Sequence, residues 1–237
     1  MTSFILKIIA ISTMFCDHFG YAFFHHLSFL NYIGRIAFSI FAFQISQGFK
    51  YTKNLKNYCI RLLSFALISQ IPFSLYIHKF LPNSSSSLNI FFTLFLGLLA
   101  IIVYNYFEKQ DSKELNYKIL GISYKYILGI MFVLFIAYIG ELIHVDYGFL
   151  GVIVIFSFYL FRNSKLATAI SYILICACKY GFSILMYGFH IEYIYLMFAT
   201  MLPIIFILLY NGKQGYKIKY LLYLFYPLHL LALYLIF

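Results

Sequence analysis

The sequence predicts an all-α fold: a polytopic integral membrane helix bundle of about nine transmembrane helices (roughly eight to ten), with the N-terminus inside. Three observations predict it. Hydrophobic residues make up 64% of the chain and charged residues only 10%, against about 25% charged in an average soluble domain. Apolar runs recur at about the 20-residue length that crosses hydrocarbon. Basic residues gather in alternate connections between those runs. No linker divides the chain, so residues 1–237 are expected to form a single transmembrane domain.

The first run, from Ser3 to about Phe24, is long enough to span and contains Lys7, Asp17 and His18. It has no small-residue cleavage pattern, so it reads as a retained helix. Runs at 32–50 and 57–77 follow, separated by a strongly basic connection. The serine-rich stretch Pro82–Ser87 reads as a loop before the run at 88–107. The polar stretch Glu108–Lys118 precedes the run at 124–143. The last four runs are 146–162, 165–186, 191–211 and 217–237. Helices are expected throughout because backbone groups in hydrocarbon must be satisfied within the segment. A barrel would need alternating strands of about ten residues, whereas these runs are continuously apolar. Cys16, Cys59, Cys176 and Cys178 form neither a disulfide framework nor a paired zinc motif.

Charge sets the expected direction. One set of connections carries Lys50, Lys53, Lys56 and Arg61, then Lys109, Lys113, Lys118 and Lys125, then Arg162 and Lys165, and finally Lys213, Lys217 and Lys219. The opposite set contains Lys79 and almost nothing else basic. The positive-inside rule therefore places the N-terminus in and the C-terminus out, in a bacterial cytoplasmic membrane. The net charge of +10 follows from this topology and calls for no nucleic acid. Anionic lipid of the bilayer is the expected partner of the basic face. Nothing in the residues sets an oligomeric state.

Ionisable groups inside spans are costly and mark function. Asp17, His18, Arg35, Gln70, Glu141, Lys179 and His229 fall at a similar depth toward the outer half, where one polar cavity would hold them. Lys179 has the alternative of snorkelling to headgroups. Asp17 has two candidate partners, its neighbour His18 and Arg35. His25 and His26 read as interfacial. No two histidines have the i, i+4 spacing of a zinc pair, so no metal is expected. Lys7 and His18 share a helix face about 16 Å apart, lining one groove.

The chain resembles the TraX family, membrane proteins associated with N-terminal acetylation of conjugative pilin. The resemblance rests on KIIAISTMFCDHFGYAFF in the first run and IGRIAFSIFAFQISQGFKYT in the second. IRLLSFALISQIPF, LNIFFTLFLGLLAI, DYGFLGV and YPLHLLALYLI extend it over nearly the whole chain. More loosely, the chain is similar to transmembrane acyltransferases that acetylate surface polysaccharides, which carry a basic residue, ten residues and a His on their first helix. Lys7 and His18 fit that spacing. The resemblance implies acetyl transfer from acetyl-CoA with His18 essential. The acceptor would be an amine or hydroxyl of a peptide, pilin or glycan at or beyond the outer face.

Acyl transfer needs a base for the acceptor proton and donors near the developing oxyanion. His18 is the candidate base, with Asp17 beside it in sequence as its possible helper. Arg35, Gln70, Glu141, Lys179 and His229 are the candidates to line the acceptor site. No Gly-rich phosphate loop is present, so Lys7, Lys50, Lys53 and Arg61 are the candidates to hold acetyl-CoA. The alternative reading is a small-solute transporter or permease whose buried charges form a polar pathway.

Overall fold

The computed structural model describes residues 1–237 apart from 86, 112–114, 120–121 and 217, and apart from the side chains of 119, 122 and 219. Lys113, Lys217 and the side chain of Lys219, three of the expected basic-face cations, thus lie outside the described residues.

The helices run in the order α1 (Ser3–Phe24), α2 (Phe29–Tyr51), α3 (Leu55–Phe80), α4 (Ile90–Glu108), α5 (Tyr124–Leu142) and α6 (Gly148–Leu160). α7 (Lys165–Tyr187), α8 (Ile191–Met201), α9 (Pro203–Leu208) and α10 (Lys219–Ile236) complete the bundle. α8 and α9 are one apolar rod, interrupted at Leu202–Pro203 because proline removes a backbone donor. With that rod counted once, seven of the described helices are long and apolar enough to cross a membrane, and Gly148–Leu160 and Tyr220–Ile236 are shorter apolar helices. Every apolar run of the sequence is therefore helical, and the chain is a polytopic bundle. A small antiparallel hairpin, β1 (Lys118–Ile119) with β2 (Ile122–Ser123), occupies a connection that reads from sequence as a plain loop.

Short polar side chains fix where the helices start. Asn54 accepts from the Asn57 amide at 2.9 Å, Asn89 from Phe91 at 3.0 Å and Ser164 from Ala167 at 3.2 Å. At the start of α2, Ser28 and Asn31 form a reciprocal capping box.

α2 lies at the centre: 61% of its membrane-length window is buried, against 28% for α5 and 22% for α7. Gly34, Ala37, Ser39, Ala42 and Ser46 are buried along it, small enough to let neighbouring backbones approach. α1 packs along one side of α2, with α4, α6, α8 and α9 on the others, while α10 packs on α3 and α5 on α4. At Gly34 a methyl group would fall 2.3 Å from Asp17 Cβ, so the α2 backbone there lies directly against the Asp17 side chain of α1. Outward positions such as Leu67, Ile71, Phe135, Leu174 and Leu185 are exposed and apolar, as lipid contact requires.

The shortness of α6 has a local cause. Its 13 residues rise about 20 Å, less than the roughly 30 Å hydrocarbon core. After α5 the chain drops back into the bundle before α6 begins. Tyr147 stacks on Phe38 of α2 at 3.8 Å, about 14 Å below the start of that helix. The irregular backbone is satisfied by a second irregular stretch just before α4. Asp146 N donates to Leu88 O at 2.8 Å, Ser87 N to His144 O at 3.0 Å, and the Thr93 hydroxyl to the Asp146 carbonyl.

The two ends of the bundle differ in charge. Met1, Arg162, Lys165 and Lys213 belong to one end, where Met1 N reaches Leu209 O at 2.5 Å and Lys165 Nζ reaches Leu208 O at 2.8 Å. We call it the basic end, because the same alternation places Lys50, Lys53, Lys56, Lys109 and Lys125 there. At the far end, Lys79 donates to Tyr234 O at 3.0 Å.

Candidate functional site

Asp17 and His18 are neighbours on α1, so their side chains leave the helix about 100° apart and reach different partners. His18 faces α3 and α10. Its Nδ1 lies 2.8 Å from Nε2 of His229, and His229 Nδ1 lies 2.7 Å from the Phe225 carbonyl oxygen. Tyr76 donates its hydroxyl to the His18 carbonyl at 2.6 Å and sets its ring edge-on to the imidazole. Tyr226 approaches from the other side at 6.2 Å between ring centroids. His229 is 6% exposed, enclosed by the Phe15 and Phe225 rings.

Asp17 faces α2. Arg35 pairs with it at 2.7 Å, Asn31 donates to its side chain at 3.2 Å and to its carbonyl at 2.8 Å, and Arg35 Nε donates to the Asn31 carbonyl at 3.1 Å. Of the two partners the sequence offered Asp17, the structure realises Arg35. The contact at Gly34 brings the two helices close enough for it.

The remaining candidates divide among separate places. Lys179 on α7 lies near the Tyr147 and Tyr180 rings, 5.9 and 5.2 Å from their centroids, on the Arg35 side of the cluster. Gln70 is spent on the irregular stretch before α4, donating to Ser87 O at 2.7 Å and accepting from Asn89 at 2.8 Å. Glu141 accepts from the Phe149 amide at 2.8 Å and so caps the start of α6. The structure therefore does not gather all seven groups around one outward cavity. It separates a His18–His229 pair from an Asp17–Asn31–Arg35 cluster and gives Gln70 and Glu141 local backbone partners.

A cavity of about 620 Å³ begins at the basic end and runs toward His18. Lys7, Lys53, Arg61, Gln44 and Tyr223 line it, with Met14 and Tyr226 at its inner reach. Met14 precedes His18 by one helical turn, and Tyr226 precedes His229 by three residues. Two buried nitrogens on lining residues have no hydrogen-bond partner, Arg61 Nε and Gln44 Nε2. The Gln44 amide is oriented by Ser3, whose hydroxyl donates to Oε1 at 2.9 Å. Of the four cations assigned to acetyl-CoA, Lys7, Lys53 and Arg61 border this space. Lys50 is exposed, over the Tyr51 ring at 5.3 Å, and is not among the lining residues.

Asn31, Gln44, Tyr76, Tyr223 and Tyr226 escaped the sequence reading. Tyr223, Tyr226 and His229 recur at three-residue intervals on α10, a spacing that places them along one helix face. That signal is drowned in a chain with 24 tyrosines and 29 phenylalanines.

The TraX protein family matches residues 3–237. A relative from Dichelobacter nodosus, described as a probable fimbrial assembly protein FimC of serogroup H1, is 28% identical over 252 residues, covering 98% of this chain and 94% of the relative. No solved structure matches the chain. With the family match spanning all but the first two residues, the chain belongs to the TraX family.

Proposed function

We propose that this protein is a membrane-embedded acetyltransferase that moves an acetyl group from acetyl-CoA to an amine or hydroxyl acceptor at or beyond the far face. The observation that carries the reading is the cavity that runs from the cationic end as far as Met14 and Tyr226, one helical turn short of the His18–His229 pair. Its residues fit the donor. CoA is an anionic head on a long, narrow arm. Lys7, Lys53 and Arg61 supply charge for phosphates, and the unpartnered Arg61 Nε and Gln44 Nε2 are donors waiting for acceptors. The Tyr and Phe lining beyond them suits an arm of mixed polarity. Lys7 and His18 are separated by about 16 Å along α1, a span an extended arm can bridge.

In this reading acetyl-CoA supplies an activated acyl group as a thioester. His18 takes the proton of the attacking amine or hydroxyl and returns it to the departing thiolate. The Asp17–Arg35 pair fixes α1 on α2, and with it the depth and rotation of His18. Arg35 is already neutralised by Asp17, so Lys179 is the freer cation for an anionic acceptor group. The relative's name speaks of fimbrial assembly, which puts the N-terminal amine of a pilin first among acceptors, ahead of surface glycans.

The test is acetyl transfer from radiolabelled acetyl-CoA by the full chain in lipid nanodiscs, offered pilin-type N-terminal peptides and sugar hydroxyls. The wild type transfers label. His18→Gln lowers kcat by about 100-fold or more, and Arg61→Ala raises KM for acetyl-CoA by about tenfold. A wild-type protein that neither binds acetyl-CoA nor exchanges its acetyl group sinks the proposal. Full activity in His18→Gln sinks the assignment of the base. Solute uptake without acetylation would support the permease reading instead.

A further inference from the structure

The acid next to His18 in sequence is not its partner. Asp17 is committed to Arg35 and Asn31, and the group on His18 Nδ1 is a second histidine 211 residues away. The hydrogen-bond order of that pair can be deduced from its outer end. A backbone carbonyl only accepts, so the nitrogen 2.7 Å from Phe225 O must carry a hydrogen, which makes His229 the Nδ1–H form. In a neutral His229, Nε2 is then a bare acceptor. His18 Nδ1, 2.8 Å away, must be the donor. This leaves the lone pair of His18 on Nε2.

We propose that His229 is the positioning residue of this site: it holds His18 in the Nδ1–H tautomer, so that Nε2 is the atom that accepts a proton from the acceptor substrate. The inference rests on the acetyltransferase reading for its chemistry, although the tautomer itself does not. The proton balance follows from the same geometry. When Nε2 gains a proton, His18 carries hydrogen on both nitrogens. The Nδ1 hydrogen can pass along the 2.8 Å contact to His229 Nε2. The positive charge then rests on His229, whose Nδ1–H still donates to Phe225 O and whose ring is stacked on Phe225 at 4.8 Å. Returning the Nε2 proton to the leaving thiolate sends the shared hydrogen back to His18. A neutral imidazole thus does here what a carboxylate does in a His–Asp pair, without placing a permanent charge in the apolar core around α10.

Two measurements test it on the full chain in nanodiscs, with the His18→Asn variant used for assignment. The first is the ¹⁵N spectrum of histidine-labelled protein. Expected is a His18 ring with protonated Nδ1 and bare Nε2, and loss of that single tautomer in His229→Leu. A His18 ring protonated on Nε2 in the neutral wild type overturns the proposal. The second is transfer kinetics. Gln offers a carbonyl acceptor that Leu lacks, so His229→Gln is expected to keep kcat within about tenfold, while His229→Leu loses about 100-fold. KM for acetyl-CoA stays unchanged in both. Equal losses in the two variants, or a loss confined to KM, also overturn it. A wild type that shows the tautomer but transfers no acetyl group leaves the histidine pair standing and removes the acetyltransferase reading, so the two failures are distinguishable.

Discussion

Replacing Arg35 with methionine removes the cation from Asp17 while keeping the length of the side chain. The pair is 2.7 Å apart with side chains 22% and 18% exposed. At an effective dielectric constant of about 20, two unit charges at that distance attract by about 6 kcal/mol. Desolvation offsets part of this, and breaking a largely buried pair typically costs about 3–5 kcal/mol because the survivor is left charged. For a chain of 237 residues this is a fall of about 6–20 °C in melting temperature. The protein has no tryptophan, so the assay is far-ultraviolet circular dichroism of the α-helix signal in detergent. The companion is Asp17→Asn with Arg35→Met, which removes both charges and leaves Asn31 to pair with the new amide. Most of the lost stability returns in the double variant. Equal losses in the single and double variants, or a single-variant loss under about 1 kcal/mol, would refute the claim that charge pairing holds α1 on α2.

Further outcomes follow from the space around two glycines. Gly34→Ala places a methyl group 2.3 Å from Asp17 Cβ, so it is expected to cost about 1–3 kcal/mol or more. Gly181→Ala, with nothing within 4 Å, gains up to about 1 kcal/mol in the same melts; a reversed order refutes the packing account.

Hydropathy made the bundle legible because each crossing must bury a continuous apolar run, and that constraint is local. It did not reveal the short α6 or the break at Leu202–Pro203, because both depend on where the backbone finds its partners. Residues 146–162 read as one span, yet Asp146 and Tyr147 are drawn in as irregular chain by Leu88, Thr93 and Phe38. The site was half legible. Asp17 and Arg35 are 18 residues apart on consecutive helices, and the pairing could be weighed from depth alone. His18 and His229 lie on the first and last helices, and no local spacing announces such a contact. Gln70 and Glu141 share the depth of the others, but depth does not say which way a side chain turns, and both turn to backbone.

The mutual satisfaction of the stretches around Leu88 and Val145 has a consequence for how the protein is made. Neither stretch is fully satisfied alone in lipid, because Ser87 N and Leu88 N pair with His144 O, and Asp146 N with Leu88 O. One lies before α4 and the other after α5, so the first emerges from the ribosome well before its complement exists. Only when residues 143–147 arrive can the α4–α5–α6 hairpins close and settle together. A chain truncated after α5 therefore lacks the partners of Ser87 N, Leu88 N and Leu88 O, and is expected to be more open to proteolysis near residue 88 than the full chain.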